Sequence, residues 1–97
     1  MNKLRCRVDG NQTAIVMALR AHGYSVLSLS TVGKGCPDLL VGVQGLNILL
    51  EVKMPNGKLR SSQMTFNVGW MGQCATVTSA EDAVKMVQTI VKANWEQ

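Results

Sequence analysis

Residues 38–53 read DLLVGVQGLNILLEVK, two short runs rich in branched apolar side chains on either side of Gln44-Gly45. Runs of this length and composition predict two strands, and the Gln-Gly break predicts a turn between them, so the segment reads as a hairpin in a sheet with at least one face well covered. Three charged residues nevertheless occupy its ends: Asp38 at the start, Glu51 and Lys53 at the finish. A region otherwise suited to a core does not carry three charges without a reason.

The remaining elements follow from period and punctuation. TAIVMALRAHG puts Ile15, Val16 and Leu19 on one helical face and stops at Gly23, so a helix is expected over residues 11–22 with Asn11 as its N-cap and His22 as a C-terminal cap rather than a metal ligand. YSVLSLS has the period of a strand and is broken by TVGKG; a second helix starts at Ser61 or Ser62 and runs to about Met71; CATVTS is a further strand. SAEDAVKMVQTIVKANW is a helix capped by Ser79, with Ala83, Val84, Val87, Ile90 and Val91 as its apolar stripe. The expected order is α-β-β-β-α-β-α, one layered α/β domain of mixed sheet flanked by helices.

Within a strand, Glu51 and Lys53 point to the same side, about 6.6 Å apart along the chain. Val52 between them turns into packing. Antiparallel return of the hairpin brings Asp38 to the same end of the sheet. Two carboxylates at such a rim repel, and a divalent cation is the natural stabiliser; oxygen ligands suit Mg²⁺ or Mn²⁺ far better than zinc. A neighbouring lysine can hold a phosphate oxygen or the attacking water and offset charge that develops in a transition state. The group of residues therefore asks for a phosphodiester.

Charge points the same way. Ten Lys and Arg against six Asp and Glu give +4, and two of those six acids lie in the hairpin, so the remaining surface is more basic still and attracts polyanions. A chain of 97 residues supports one core, and a basic N-terminal arm over residues 1–8 is its only tail-like segment. No apolar run approaches the roughly 20 residues needed to span a membrane, MNKLRCRVDGN lacks the apolar core of a signal peptide, and the three widely spaced cysteines fit neither a disulfide framework nor CxxC zinc ligation. These features predict a cytoplasmic protein with reduced thiols, in the host cytoplasm if it is phage-encoded. GKG at 33–35 is not a nucleotide-binding P-loop, because GxxxxGK[ST] is absent; Gly33 and Gly35 are expected to turn the backbone ahead of Asp38. Lys34, Lys58, Arg60, Lys3, Arg5 and Arg7 are the candidate contacts to DNA phosphates, and the six Met and Trp70 and Trp95 are expected mainly to fill the core, an exposed Trp70 being instead suited to a subunit contact or to stacking on a splayed base.

Pro37-Asp38, a dozen residues, then Glu51-Val52-Lys53 resembles the PD-(D/E)XK nuclease pattern. TVGKGCPDLLVG, NILLEVK, GKLRSSQ and TSAEDAVKMV together resemble the small VRR-NUC (virus-type replication-repair nuclease) domains, over Val8 to about Val91. The resemblance implies a restriction-endonuclease-like core, Mg²⁺- or Mn²⁺-dependent endonuclease activity on duplex or branched DNA in phage replication, repair or recombination, and a homodimer. It implies Asp38 and Glu51 as metal ligands, with the Val52 carbonyl as a further ligand, Lys53 as the catalytic lysine and Gln63 as the characteristic glutamine of the next helix, orienting water or a phosphate; Asp9 substitutes for a missing helix-one acid only if the chain before that helix folds back over the site. Similar proteins carry a Glu on the first helix just before the Ile-Val pair; Ala14 stands there in this chain, and Asn11 or Gln12 could act through water in its place. That departure favours an alternative, a catalytically silent DNA-binding or structural module on the same fold. An RNA-directed nuclease is a third reading, since no RRM, KH or aromatic-platform pattern speaks to the type of nucleic acid.

Overall fold

The computed structural model describes residues 10–96. Their order is α1 (Gln12–Ala21), β1 (Ser25–Ser28), β2 (Leu39–Val43), β3 (Leu46–Val52), α2 (Ser61–Gly69), β4 (Gln73–Val77) and α3 (Ala80–Trp95), the succession of elements expected from the sequence. The strands form one four-stranded mixed sheet in the spatial order β1-β2-β3-β4, antiparallel from β1 to β3 and parallel between β3 and β4. Among the described residues no helix is long and apolar enough to cross a membrane.

The hairpin turns as tightly as its sequence predicts. Val43 pairs with Leu46, and both residues between them have positive φ, 49° at Gln44 and 81° at Gly45. Two left-handed residues in a two-residue connection match the right-handed twist of the strands, and glycine takes the second without a Cβ clash. Register then divides the apolar residues between two faces. Leu39, Val41 and Val43 of β2 join Ile48, Leu50 and Val52 of β3 and Val77 of β4 on one face, packed against Ile15 and Leu19 of α1 and Ala83 and Val87 of α3. All eleven are buried. Leu40, Leu49 and Glu51 lie on the opposite face by period two.

Helix ends explain where the expected boundaries move. α3 opens with Ser79 Oγ accepting from Asp82 N at 3.0 Å, while Asp82 Oδ2 accepts from Thr78 N at 2.9 Å. α1 ends at His22, whose Nδ1 lies 3.0 Å from Ala18 O, ahead of Gly23 at φ 84°. Its start differs from expectation: Asn11 occupies the N-cap position but makes no side-chain cap bond. α2 stops at Gly69 rather than Met71. The expectation of core filling holds for Met86, which packs against the core, and fails for Met17, Met54, Met64, Met71, Trp70 and Trp95, which are exposed. The branched residues of β2 and β3 occupy most of the space between sheet and helices.

Candidate active site

Asp38 stands one residue before β2, where the sharp approach of the loop from β1 delivers it to the end of β3. Its backbone carbonyl accepts from Leu29 N at 2.7 Å, and its Oδ2 accepts from Val52 N at 2.8 Å. The carboxylate is thus fixed by the main chain between Glu51 and Lys53. Val52 has its side chain wholly in the core, as period two requires of the residue between two that face the other way.

Glu51 departs from the expected rim position. It is 1% exposed, on the sheet face that α2 covers, and its Oε2 accepts from Gln63 Nε2 at 2.9 Å and lies 3.9 Å from Lys53 Nζ. Burial of a carboxylate costs free energy unless hydrogen bonds and an opposite charge replace water, and here both are present. Gln63 is itself buried. Its Oε1 accepts from Arg60 N at 2.8 Å, the N3 half of a capping box; an arginine side chain has no acceptor and cannot supply the reciprocal half. Both ends of the Gln63 amide therefore hold protein partners, so this residue positions Glu51, while its second N–H and the remaining lone pair of Oε1 stay open to the expected water or phosphate.

A polar cleft of about 340 Å³ opens beside this group, with Asp38, Gln63 and Ser62 on one side and Lys34 and Arg60 among its walls. Lys34 and Arg60 are thereby brought to the site, whereas Lys58 is exposed on the loop before α2 and does not line the cleft. Lys3, Arg5, Arg7 and Asp9 lie outside the described residues. Another hollow of about 530 Å³ sits at the far end of the hairpin between His22 and Asn47, and no carboxylate lines it.

Two neighbours, Cys36 and Cys74, have no place in the expected site, and Asn11 makes contacts beside it other than the expected helix cap. Cys36 lines the cleft; burial first, then the negative charge of Glu51 and Asp38, raises its thiol pKa and keeps it protonated. Burial first, then Glu51 and Cys36, likewise raises the Cys74 thiol. Asn11 spends its amide on strand ends instead of a cap, with Nδ2 donating to Lys53 O at 3.2 Å and to Thr78 O at 2.6 Å. This bond ties the start of α1 to the lysine of the site. No local signal distinguishes such an Asn from an ordinary N-cap, since the partners are 42 and 67 residues away.

The first helix also answers the question raised by Ala14. Ala14 is exposed, while Gln12, Ile15 and Leu19 form the buried stripe. An acid at 14 would project from the opposite side of α1 to Gln12, because two residues turn an α-helix by about 200°. Asn11 Oδ1 and Gln12 Oε1 are buried without a hydrogen-bond partner, so the inward oxygens at this end of α1 come from amides.

The donor set is compatible with a hard divalent cation. Among the described residues no group of three or more His, Cys, Asp or Glu side chains is arranged to hold a metal. Mg²⁺ is commonly held by one or two carboxylates, with waters and substrate phosphate completing the octahedron, and Asp38 and Glu51 are the two carboxylates of this group. No protein-family model, curated protein or solved structure matches the chain.

Proposed function

We propose that the chain is a metal-dependent endonuclease of the PD-(D/E)XK type, in its VRR-NUC branch, hydrolysing phosphodiester bonds of duplex or branched DNA as a homodimer. The observation that carries this reading is the convergence of Asp38, Glu51 and Lys53 at one end of a hairpin, with Asp38 bonded to the main chain between the other two at Val52 N, Glu51 held by Gln63 and Glu51 3.9 Å from Lys53.

Asp38, Glu51 and the Val52 carbonyl would hold Mg²⁺ or Mn²⁺, which polarises a phosphodiester and lowers the pKa of bound water when present. Lys53 is directed along the same face as Glu51 and offsets charge gathering on the scissile phosphate. Gln63 keeps Glu51 turned toward Lys53. Lys34 and Arg60, on the walls of the cleft, position the flanking phosphates without reading sequence. A catalytically silent module, suggested by Ala14 where similar proteins carry an acid, is the alternative that a cleavage assay separates.

The test uses supercoiled plasmid and a four-way junction with the purified full chain. Cleavage is expected with Mg²⁺ or Mn²⁺ and none in chelator. Asp38→Asn and Lys53→Ala are expected to lower the rate by about 100-fold or more while DNA binding persists, since phosphate contacts lie mostly outside the three charged residues. Undiminished cutting by either variant, or by metal-stripped protein in chelator, would reject the assignment. Binding without cleavage under every metal condition would return the silent module.

A further inference from the structure

An apolar hollow of about 520 Å³ adjoins the polar cleft, and Gly33, Lys34 and Cys36 line both. Leu29, Leu40 and Leu49 form its floor and Phe66 and Trp70 one wall, while Asn47 and Gln73 supply amide groups at its edge. Phe66 and Trp70 are stacked, with ring centroids 5.0 Å apart and planes 13° from parallel. Gly72 keeps the indole in place, since a Cβ at that residue would come within 2.9 Å of Trp70 Nε1. Trp70 is 48% exposed and Val32, on the same hollow, 57%. Among the described residues the core packs against the other face of the sheet.

We propose that this hollow receives one unstacked nucleobase from the nucleotide next to the phosphate held at Asp38, Glu51 and Lys53. The inference rests on the nuclease reading and narrows its substrate to nucleic acid with an unpaired or readily extruded nucleotide beside the scissile bond. Four features select a base over other occupants. The volume is that of a small-ligand site. A flat apolar ring gains stacking on aromatic side chains whatever its sequence. Amides at the rim offer donors and acceptors to a base edge.

Charge supplies the fourth. Lys34 stands at the junction of the two hollows in a left-handed conformation, φ 58°, that an L-residue adopts at an energetic cost. A cation held there suits the phosphate joining a stacked base to the scissile group, and gives an apolar protein partner nothing to pair with. The whole chain carries +4, which favours the polyanion further.

The experiment places 2-aminopurine as a single bulged nucleotide in a duplex and titrates it with the full chain in chelator, where no cleavage intervenes. Quenching is expected on binding, with no comparable quenching when the same 2-aminopurine is fully paired. Replacing the bulged base by an abasic residue should weaken binding by roughly tenfold, within the range found for base stacking on aromatic side chains. Trp70→Ala should produce the same loss and Trp70→Phe should retain most of the affinity. Val32→Glu, at an exposed loop position, supplies an independent block of the mouth and should also remove the quenching. Equal binding of bulged-base and abasic duplexes overturns the proposal, and so does Trp70→Ala that halves the particle mass without changing the base dependence, which would make the hollow a subunit contact. Cleavage in Mg²⁺ or Mn²⁺ is scored separately: its absence defeats the nuclease reading, while the titration still decides whether a base is bound.

Discussion

Glu51 is held in its buried position by Gln63 as well as by Lys53. A carboxylate that is 1% exposed needs donors in place of water, and Gln63 Nε2 supplies one at 2.9 Å. Removing that donor takes a hydrogen bond from a buried group, which costs about 1–3 kcal/mol. Gln63→Ala is therefore expected to lower the urea midpoint accordingly and to raise the Mg²⁺ concentration needed for half-maximal cleavage. Gln63→Glu should be worse in both respects, because it sets a second negative charge against Glu51. An unchanged midpoint and metal requirement in Gln63→Ala would show that Glu51 needs no such support. The contrast between Ala14 and Gln12 belongs to the same scale: which side of α1 a residue occupies matters more than how near it lies in sequence to the Ile-Val pair.

Among the elements, the loop between β1 and β2 does most to assemble the site, since it carries Lys34, Cys36 and Asp38 and meets the start of α2. Gly33, Lys34 and Gly35 are successive left-handed residues, with φ of 77°, 58° and 75°. Gly35 also approaches α2 so closely that a Cβ there would collide with the Ser62 carbonyl oxygen and lie 2.6 Å from its carbon. Gly33 meets nothing within 4 Å. The two glycines are therefore separable by experiment. Gly33→Ala is expected to lose about 1–2 kcal/mol from the left-handed backbone alone. Gly35→Ala should lose more, as seen by chemical denaturation, and should also slow cleavage by shifting the N-terminus of α2 and with it Gln63. Equal losses at the two positions would mean that the contact with Ser62 is not tight.

For the whole molecule, the exposed apolar residues of α2 and its end are the surface to test as a contact between copies. Val68 is 88% exposed and Met64 54%, four residues apart on one side of α2, and Met71, just beyond the helix, is 97% exposed. A C2 axis through such a surface would present two identical sites to the two antiparallel strands of a duplex. Light scattering is expected to give twice the chain mass, and Val68→Glu to give a monomer that still binds a bulged base but no longer cuts both strands of a junction together. A monomer in the unmodified chain, with paired cutting that survives dilution, would defeat the dimer.

Local sequence determined the order of the elements, the tight turn at Gln44-Gly45, the cap at Ser79 and the alternation that puts Val52 inward while Glu51 and Lys53 share a side. Each depends on a few neighbouring residues: period, a left-handed glycine, a hydroxyl facing a free N–H. Tertiary structure alone decided that Glu51 is buried, that Asn11 bonds to strand ends instead of capping its helix, that Ala14 faces outward and that Trp70 stands half-exposed on a hollow. These outcomes depend on which face of the sheet α2 covers and how closely the loop before β2 approaches it. Contacts of that kind join residues far apart in the chain, such as Asn11 and Thr78, and leave no periodic trace in the sequence around either partner.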